Sequence, residues 1–288
     1  VYDSFITSYL LRPKPRAAQE LRTYRKHAAA ISGCAGRIRQ PPKNAERTGF
    51  RPVSEKSENN VPSSPFFFLT LVTMAGLYFH IPFCKRVCAY CDFYKSADLR
   101  RMDDLLAAMH RELDDRRGYP GGEAVTTRYF GGGTPSLCTP EAIRGLLDHA
   151  AQLFDCSGAE ETTLEANPDD LTAEYLGGLL EAGIDRLSIG VQSFDDDCLK
   201  LMNRRHTAAQ AAEAVRAAQR AGFGNITVDL IFGMPGFGGD TLRRSLDAAL
   251  SLGVQHISAY HLTVEPDTAF GRRAARGEFR TVDEQISE

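Results

Sequence analysis

Gly76-Leu77-Tyr78-Phe79-His80-Ile81-Pro82-Phe83-Cys84-Lys85-Arg86-Val87-Cys88-Ala89-Tyr90-Cys91 decides how this chain is read. Its first half is an apolar run of strand length, and its second half packs three cysteines into eight residues. Thiolates spaced C-x3-C-x2-C can hold three irons of a four-iron cluster, and no matching fourth cysteine completes the set. One iron then keeps an open position, where a small chelating molecule can bind. Structural zinc is the alternative, although zinc sites usually show two cysteine or histidine pairs and no second pair follows. A disulfide is a weaker reading, since no secretory signal accompanies these cysteines.

The 288 residues, 43% of them hydrophobic, suffice for one large core or two modest ones, and no apolar run is long enough to span a membrane. The formal net charge of -3 conceals an asymmetry. Residues 1 to 73 hold 12 basic and 5 acidic side chains, leaving 22 of the 34 basic and 32 of the 37 acidic ones for the remainder. Seven cysteines, an odd number with three clustered, point to a reducing compartment and a metal centre, so the cytoplasm is expected. The basic segment carries Pro41-Pro42 and few periodic apolar stretches, and reads as a poorly ordered extension with one short helix around Ala17 to Ile31. A targeting segment, a nucleic-acid-binding arm and a misplaced start compete to explain it. The misplaced start is favoured, because Met74 is the first methionine and lies two residues before the first strand; no nucleic-acid partner is then expected.

Beyond the cysteines the chain alternates. Leu99, Met102, Leu105, Leu106, Met109 and Leu113 recur at helical spacing. A strand from Val125 to Phe130 ends in Gly131-Gly132-Gly133-Thr134-Pro135, and Thr139-Pro140-Glu141 opens the next helix. Strand Thr162 to Ala166 leads to a helix capped by Thr172 that ends near Gly183. Strand Arg186 to Val191 precedes a helix opened by the capping box Thr207-Ala208-Ala209-Gln210 and closed near Gly222. Strand Ile226 to Phe232, a helix capped by Asp240 and closed by Gly253, and strand Gln255 to Leu262 complete six β/α turns. Such alternation implies an α/β fold with a parallel sheet buried on both faces. A (β/α)6 partial TIM barrel fits better than an open doubly wound sheet, because polar residues stand at the C-terminal ends of successive strands, which converge on one mouth. They are Cys84 to Cys91, Gly131 to Pro135, Glu165 with Asn167, Gln192, and Asp229.

These stretches resemble the radical S-adenosylmethionine (SAM) superfamily, and within it the oxygen-independent coproporphyrinogen III oxidase-like proteins. The likeness runs through His80-Ile81-Pro82-Phe83-Cys84, Tyr90-Cys91-Asp92-Phe93, Gly131-Gly132-Gly133-Thr134-Pro135-Ser136, Glu165-Ala166-Asn167-Pro168, Leu187 to Phe194, Asp229 to Gly236 and Tyr260-His261-Leu262. It implies a 4Fe-4S cluster on Cys84, Cys88 and Cys91, with SAM on the open iron and its sulfonium beside the electron source. Tyr78 and Tyr90 are then aromatic walls of the cofactor pocket. Gly132 and Gly133 let the backbone approach the methionyl end, and Thr134 adds a hydroxyl. Glu165 and Asp229 accept from ribose hydroxyls or an ammonium, Gln192 offers donors and acceptors, and Arg204 suits a carboxylate. The resemblance assigns no catalytic side chain.

Two functions of different class follow from it. In the true coproporphyrinogen dehydrogenases another cysteine stands two positions after the third ligand, where this chain has Phe93. That departure favours the heme chaperone branch, which carries heme as cargo to apo-hemoproteins and needs an electron donor to its cluster, over an oxidase of porphyrin biosynthesis. The resemblance also implies a core domain over residues 74 to 265. Residues 266 to 288, with Arg272-Arg273, then begin a C-terminal domain that this chain contains only in part. His80, His206 and His261 are available as heme ligands, though histidines beside strands are more often satisfied locally, and Cys138, Cys156 and Cys198 read as ordinary thiols.

Overall fold

A computed structural model of the chain describes residues 75–278. Residues 1–74, including the short helix expected around residues 17 to 31, and residues 279–288 lie outside the described residues. Six strands, β1 (Ala75–Ile81), β2 (Val125–Gly132), β3 (Glu161–Ala166), β4 (Arg186–Gln192), β5 (Asn225–Phe232) and β6 (His256–His261), form one sheet in sequence order. Every neighbouring pair is parallel. Helices α1 (Met102–Asp115), α2 (Pro140–Leu153), α3 (Ala173–Ala182), α4 (Asp196–Leu201), α5 (Ala208–Ala221) and α6 (Gly239–Ser251) make the crossovers, and α7 (Ala269–Ala275) follows β6.

Alternation along the strands builds two unlike faces. Leu77, Phe79 and Ile81 of β1, Leu164 of β3, Leu187 and Ile189 of β4 and Val228 and Leu230 of β5 are buried in one core with Met109, Ile143, Leu176 and Val215 from the helices. Phe79 stacks on Phe130 with ring centroids 4.5 Å apart. The opposite face is polar: Arg186 donates to Glu161 and Thr227, and Ser188 to Asp229. Both faces thus hold buried residues, but on the second they are polar, with Thr163, Ser188 and Thr227 buried there. Among the described residues β1 pairs only with β2 and β6 only with β5, so the strands do not close, and the interior that a complete barrel would pack with side chains is left as a polar wall.

Local signals place most helix ends. Thr139 accepts from the Ala142 amide, Thr172 from that of Tyr175, and Thr207 and Gln210 make both bonds of the capping box. Gly183 (φ 95°) and Gly222 (φ 116°) end their helices in the left-handed conformation that glycine reaches without strain. Two expectations are corrected. Leu99 lies in an exposed 3-10 turn before α1, capped by Asp98, and not on that helix's buried stripe. Helix α6 starts after Gly238, so Asp240 sits inside its first turn, where it complements the helix dipole but caps nothing. Helix α4 is an addition: only six residues long, it is capped by Asp195, which accepts from the Asp197 and Cys198 amides.

Candidate cofactor site at the strand ends

The three cysteines lie on the loop between β1 and α1, and the loop is tied down along its length. The Cys84 amide donates to Ser96 O at 3.0 Å, and the Ser96 amide returns to Pro82 O at 2.7 Å. Asn203 Nδ2 donates to Val87 O at 2.8 Å, the Ala89 amide to Met202 O at 3.0 Å, and Lys95 Nζ to Cys91 O at 2.6 Å. Ala89 sits in a second small core with Met202, Met234, Leu262 and Phe270. Phe270 of α7 also donates its amide to Ala89 O at 2.9 Å, so the start of the segment expected to lead into a C-terminal domain braces the cysteine loop.

All three thiols are free and half-buried, which disposes of the disulfide reading. Among the described residues no three His, Cys, Asp or Glu side chains close on a single metal ion. Donors are aimed at the sulfurs: Thr134 Oγ1 lies 3.4 Å from Cys84 Sγ and Arg204 Nη1 lies 3.2 Å from Cys88 Sγ. Burial pushes the Cys84 and Cys91 thiols up, while the Thr134 hydroxyl on Cys84 and the Phe93 backbone on Cys91 act the other way. Such donors stabilise sulfur that carries negative charge, as a cluster ligand does.

The remaining predicted positions gather on the polar face and at its upper rim. Tyr78 stacks on Tyr129, centroids 5.8 Å apart, and the Tyr129 hydroxyl donates to Glu165 Oε1 at 2.7 Å. Glu165 Oε2 accepts from the Gly132 amide at 3.1 Å, and burial pushes its carboxyl up to about 7. Asp229 is also raised by burial, opposed by the hydroxyls of Ser188 and Ser258. Gln192 holds a left-handed φ of 69° at a break in the β4–β5 register, a rare conformation for a residue with a Cβ and one that clusters at binding sites. Arg204 Nη2 donates to Asn167 Oδ1 at 2.5 Å and to Gly190 O at 2.6 Å, its Nη1 lies 3.5 Å from the Tyr90 hydroxyl, and its Nε is enclosed with no partner.

The glycines serve a purpose that the sequence does not disclose. A Cβ on Gly133 would stand 2.7 Å from Phe83 O and 2.9 Å from Phe83 N, and its amide already donates to Ile81 O at 2.8 Å. A Cβ on Gly132 would meet the His80 ring at 2.6 Å. This turn is glycine-rich so that it can lie against the cysteine loop, and the amides of Gly132 and Gly133 are both spent inside the protein. Tyr129 and Ser188 are neighbours of the site that periodicity does not single out, although their register opposite Tyr78 and Glu165 is a usable signal. His206 is buried, its Nε2 3.0 Å from Val191 O, and burial lowers it to about 4, which makes it a core histidine. Cys138 and Cys198 are buried thiols raised by desolvation.

The radical SAM superfamily matches residues 78–249, from the strand before the cysteines into α6. The chain belongs to the radical SAM superfamily. Within it, heme chaperone HemW of Bacillus subtilis is 40% identical over 206 residues, covering 71% of this chain and 54% of that protein. HemW of Escherichia coli is 37% identical over 69% of this chain and 53% of its own length. The solved radical SAM enzyme coproporphyrinogen III oxidase (HemN) from Escherichia coli superposes with a TM-score of 0.64 at 26% identity, covering 74% of this chain and 49% of HemN. The chain thus spans about half the length of the curated relatives it matches. Radical SAM membership implies a 4Fe-4S cluster and SAM, and the free thiols with donors at their sulfurs and the orphaned Arg204 Nε are what such ligands would use. No helix among the described residues is long and apolar enough to cross a membrane.

Proposed function

We propose that the intact protein is a heme chaperone of the radical SAM superfamily, holding a 4Fe-4S cluster on Cys84, Cys88 and Cys91, SAM at the strand ends, and heme as cargo for apo-hemoproteins. The observation that carries this reading is Tyr90-Cys91-Asp92-Phe93 in a chain 37–40% identical to proteins named heme chaperone HemW. Phe93 has no thiol to offer where the dehydrogenases place a cysteine, and its ring is 59% exposed on the cysteine loop. The likeness to coproporphyrinogen III oxidase is weaker in sequence and is accounted for by a shared fold.

When bound, the cluster supplies an electron to the sulfonium of SAM. The side chains around it bind and orient. Glu165 and Asp229 accept from an ammonium or from ribose hydroxyls, Gln192 contributes both donor and acceptor, and Arg204 Nε is the free donor for a carboxylate. Tyr78 and Tyr90 supply ring surface that excludes water. Partners in this scheme are an electron donor to the cluster and the apo-proteins that receive heme, in the cytoplasm.

Two measurements test it. Anaerobic reconstitution of the intact protein should yield one four-iron cluster, and Cys88→Ala should abolish it; full iron and sulfide in that variant would refute the ligand set. Reconstituted protein should bind added heme tightly and, given coproporphyrinogen III and SAM, should form no vinyl product. Stoichiometric conversion to protoporphyrinogen IX would replace the chaperone reading with the oxidase.

A further inference from the structure

Asn167, the residue after β3, stands between the two side chains that reach the cysteine sulfurs. Its Oδ1 accepts from Arg204 Nη2 at 2.5 Å, and the other end of that guanidinium, Nη1, lies 3.2 Å from Cys88 Sγ. Its Nδ2 donates to Thr134 Oγ1 at 3.4 Å, and that hydroxyl donates to Cys84 Sγ at 3.4 Å. The amide can be placed only this way round, because Arg204 has no acceptor and its Nη2 must face an oxygen. Asn167 is itself held by its backbone amide, which donates to Ser136 Oγ at 3.2 Å. One carboxamide therefore links the donors on two of the three sulfurs, and its neighbours fix it from outside the cysteine loop.

We infer that Asn167 is a positioning residue that sets the reduction potential of the cluster by holding Arg204 against Cys88 and Thr134 against Cys84. The inference rests on the cluster ligands proposed above. Reduction adds an electron to a unit already carrying negative charge on its sulfurs, so donors at those sulfurs stabilise the reduced form more than the oxidised form and raise the potential. Arg204 contributes a full positive charge in a poorly solvated place, and Thr134 a neutral hydroxyl. Neither is aimed by its own loop alone: Arg204 follows α4 and Thr134 follows β2, and Asn167 is where they meet.

The test is a mediated redox titration of the reconstituted intact protein, with iron, sulfide and the reduced cluster's spin-resonance signal measured on each sample. Asn167→Ala should keep the cluster but make its one-electron reduction about tenfold less favourable, about 59 mV more negative. Asn167→Asp should move it the same way, because the new carboxylate offsets the Arg204 charge. Thr134→Val should give a smaller shift of the same sign, and Thr134→Ser should restore the original value. Should Asn167→Ala fail to hold the cluster, Asn167→Asp and the Thr134 pair decide on the same criterion. Unchanged potentials in cluster-replete variants would overturn the inference while leaving the ligand set intact. Wild-type protein that takes up no cluster would instead remove the reading beneath it.

Discussion

At the scale of single residues, Glu165 and Gly133 give sharp expectations. Glu165 is buried, with its carboxyl raised from 4.5 to about 7, so the folded protein holds that proton more tightly than the unfolded chain. Its contribution to stability is therefore fully present below about pH 4.5 and is lost as pH rises through about 7, a swing of about 3 kcal/mol in the cofactor-free protein. Glu165→Gln should flatten that slope, read from urea midpoints between pH 5 and 8; an unchanged slope would place the titration elsewhere. Gly133 was expected to admit a ligand, yet an added Cβ would run into the Pro82–Phe83 backbone. Gly133→Ala should consequently lower melting temperature and cluster content together. A variant with normal stability and cluster content, impaired only in SAM binding, would return the residue to its purely ligand-facing role.

Among elements, the turn after β3 has the most consequence. Asp170, its side chain 3% exposed, accepts from Lys85 on the cysteine loop at 2.8 Å, from Ser136 after β2 at 2.9 Å and from Arg205 before α5 at 3.1 Å. Three loops from three crossovers are pinned by one carboxylate. Asp170→Ala leaves these donors to find water, and with Lys85 half in solvent the expected loss is about 2 kcal/mol. It should appear as a lower melting temperature and as faster proteolysis within residues 84 to 98. Destabilisation with no change in cleavage of that loop would show that the turn braces the barrel and not the cysteines.

For the whole molecule, the composition shift at residue 73 predicts that deleting residues 1 to 73 leaves melting temperature and cluster content unchanged; a large fall in either would show that the segment packs on the domain. The six strands, the main crossover helices, the threonine caps and the three-thiolate loop were legible in one dimension, because periodicity, capping and ligand spacing act over a few residues, whereas the six-residue helix α4 was too short to show. Glu165, Gln192 and Asp229 could be marked as strand-end polar groups for the same reason: in parallel crossovers every strand points the same way. Tertiary structure decided what those groups touch. That Gly133 is small to clear the Phe83 backbone, that Arg204 reaches a cysteine 116 positions away and that Asn167 joins it to Thr134 all depend on strands and loops brought together by pairing and core packing. Such contacts are set by the three-dimensional register of neighbouring crossovers, and no local pattern in the chain encodes them.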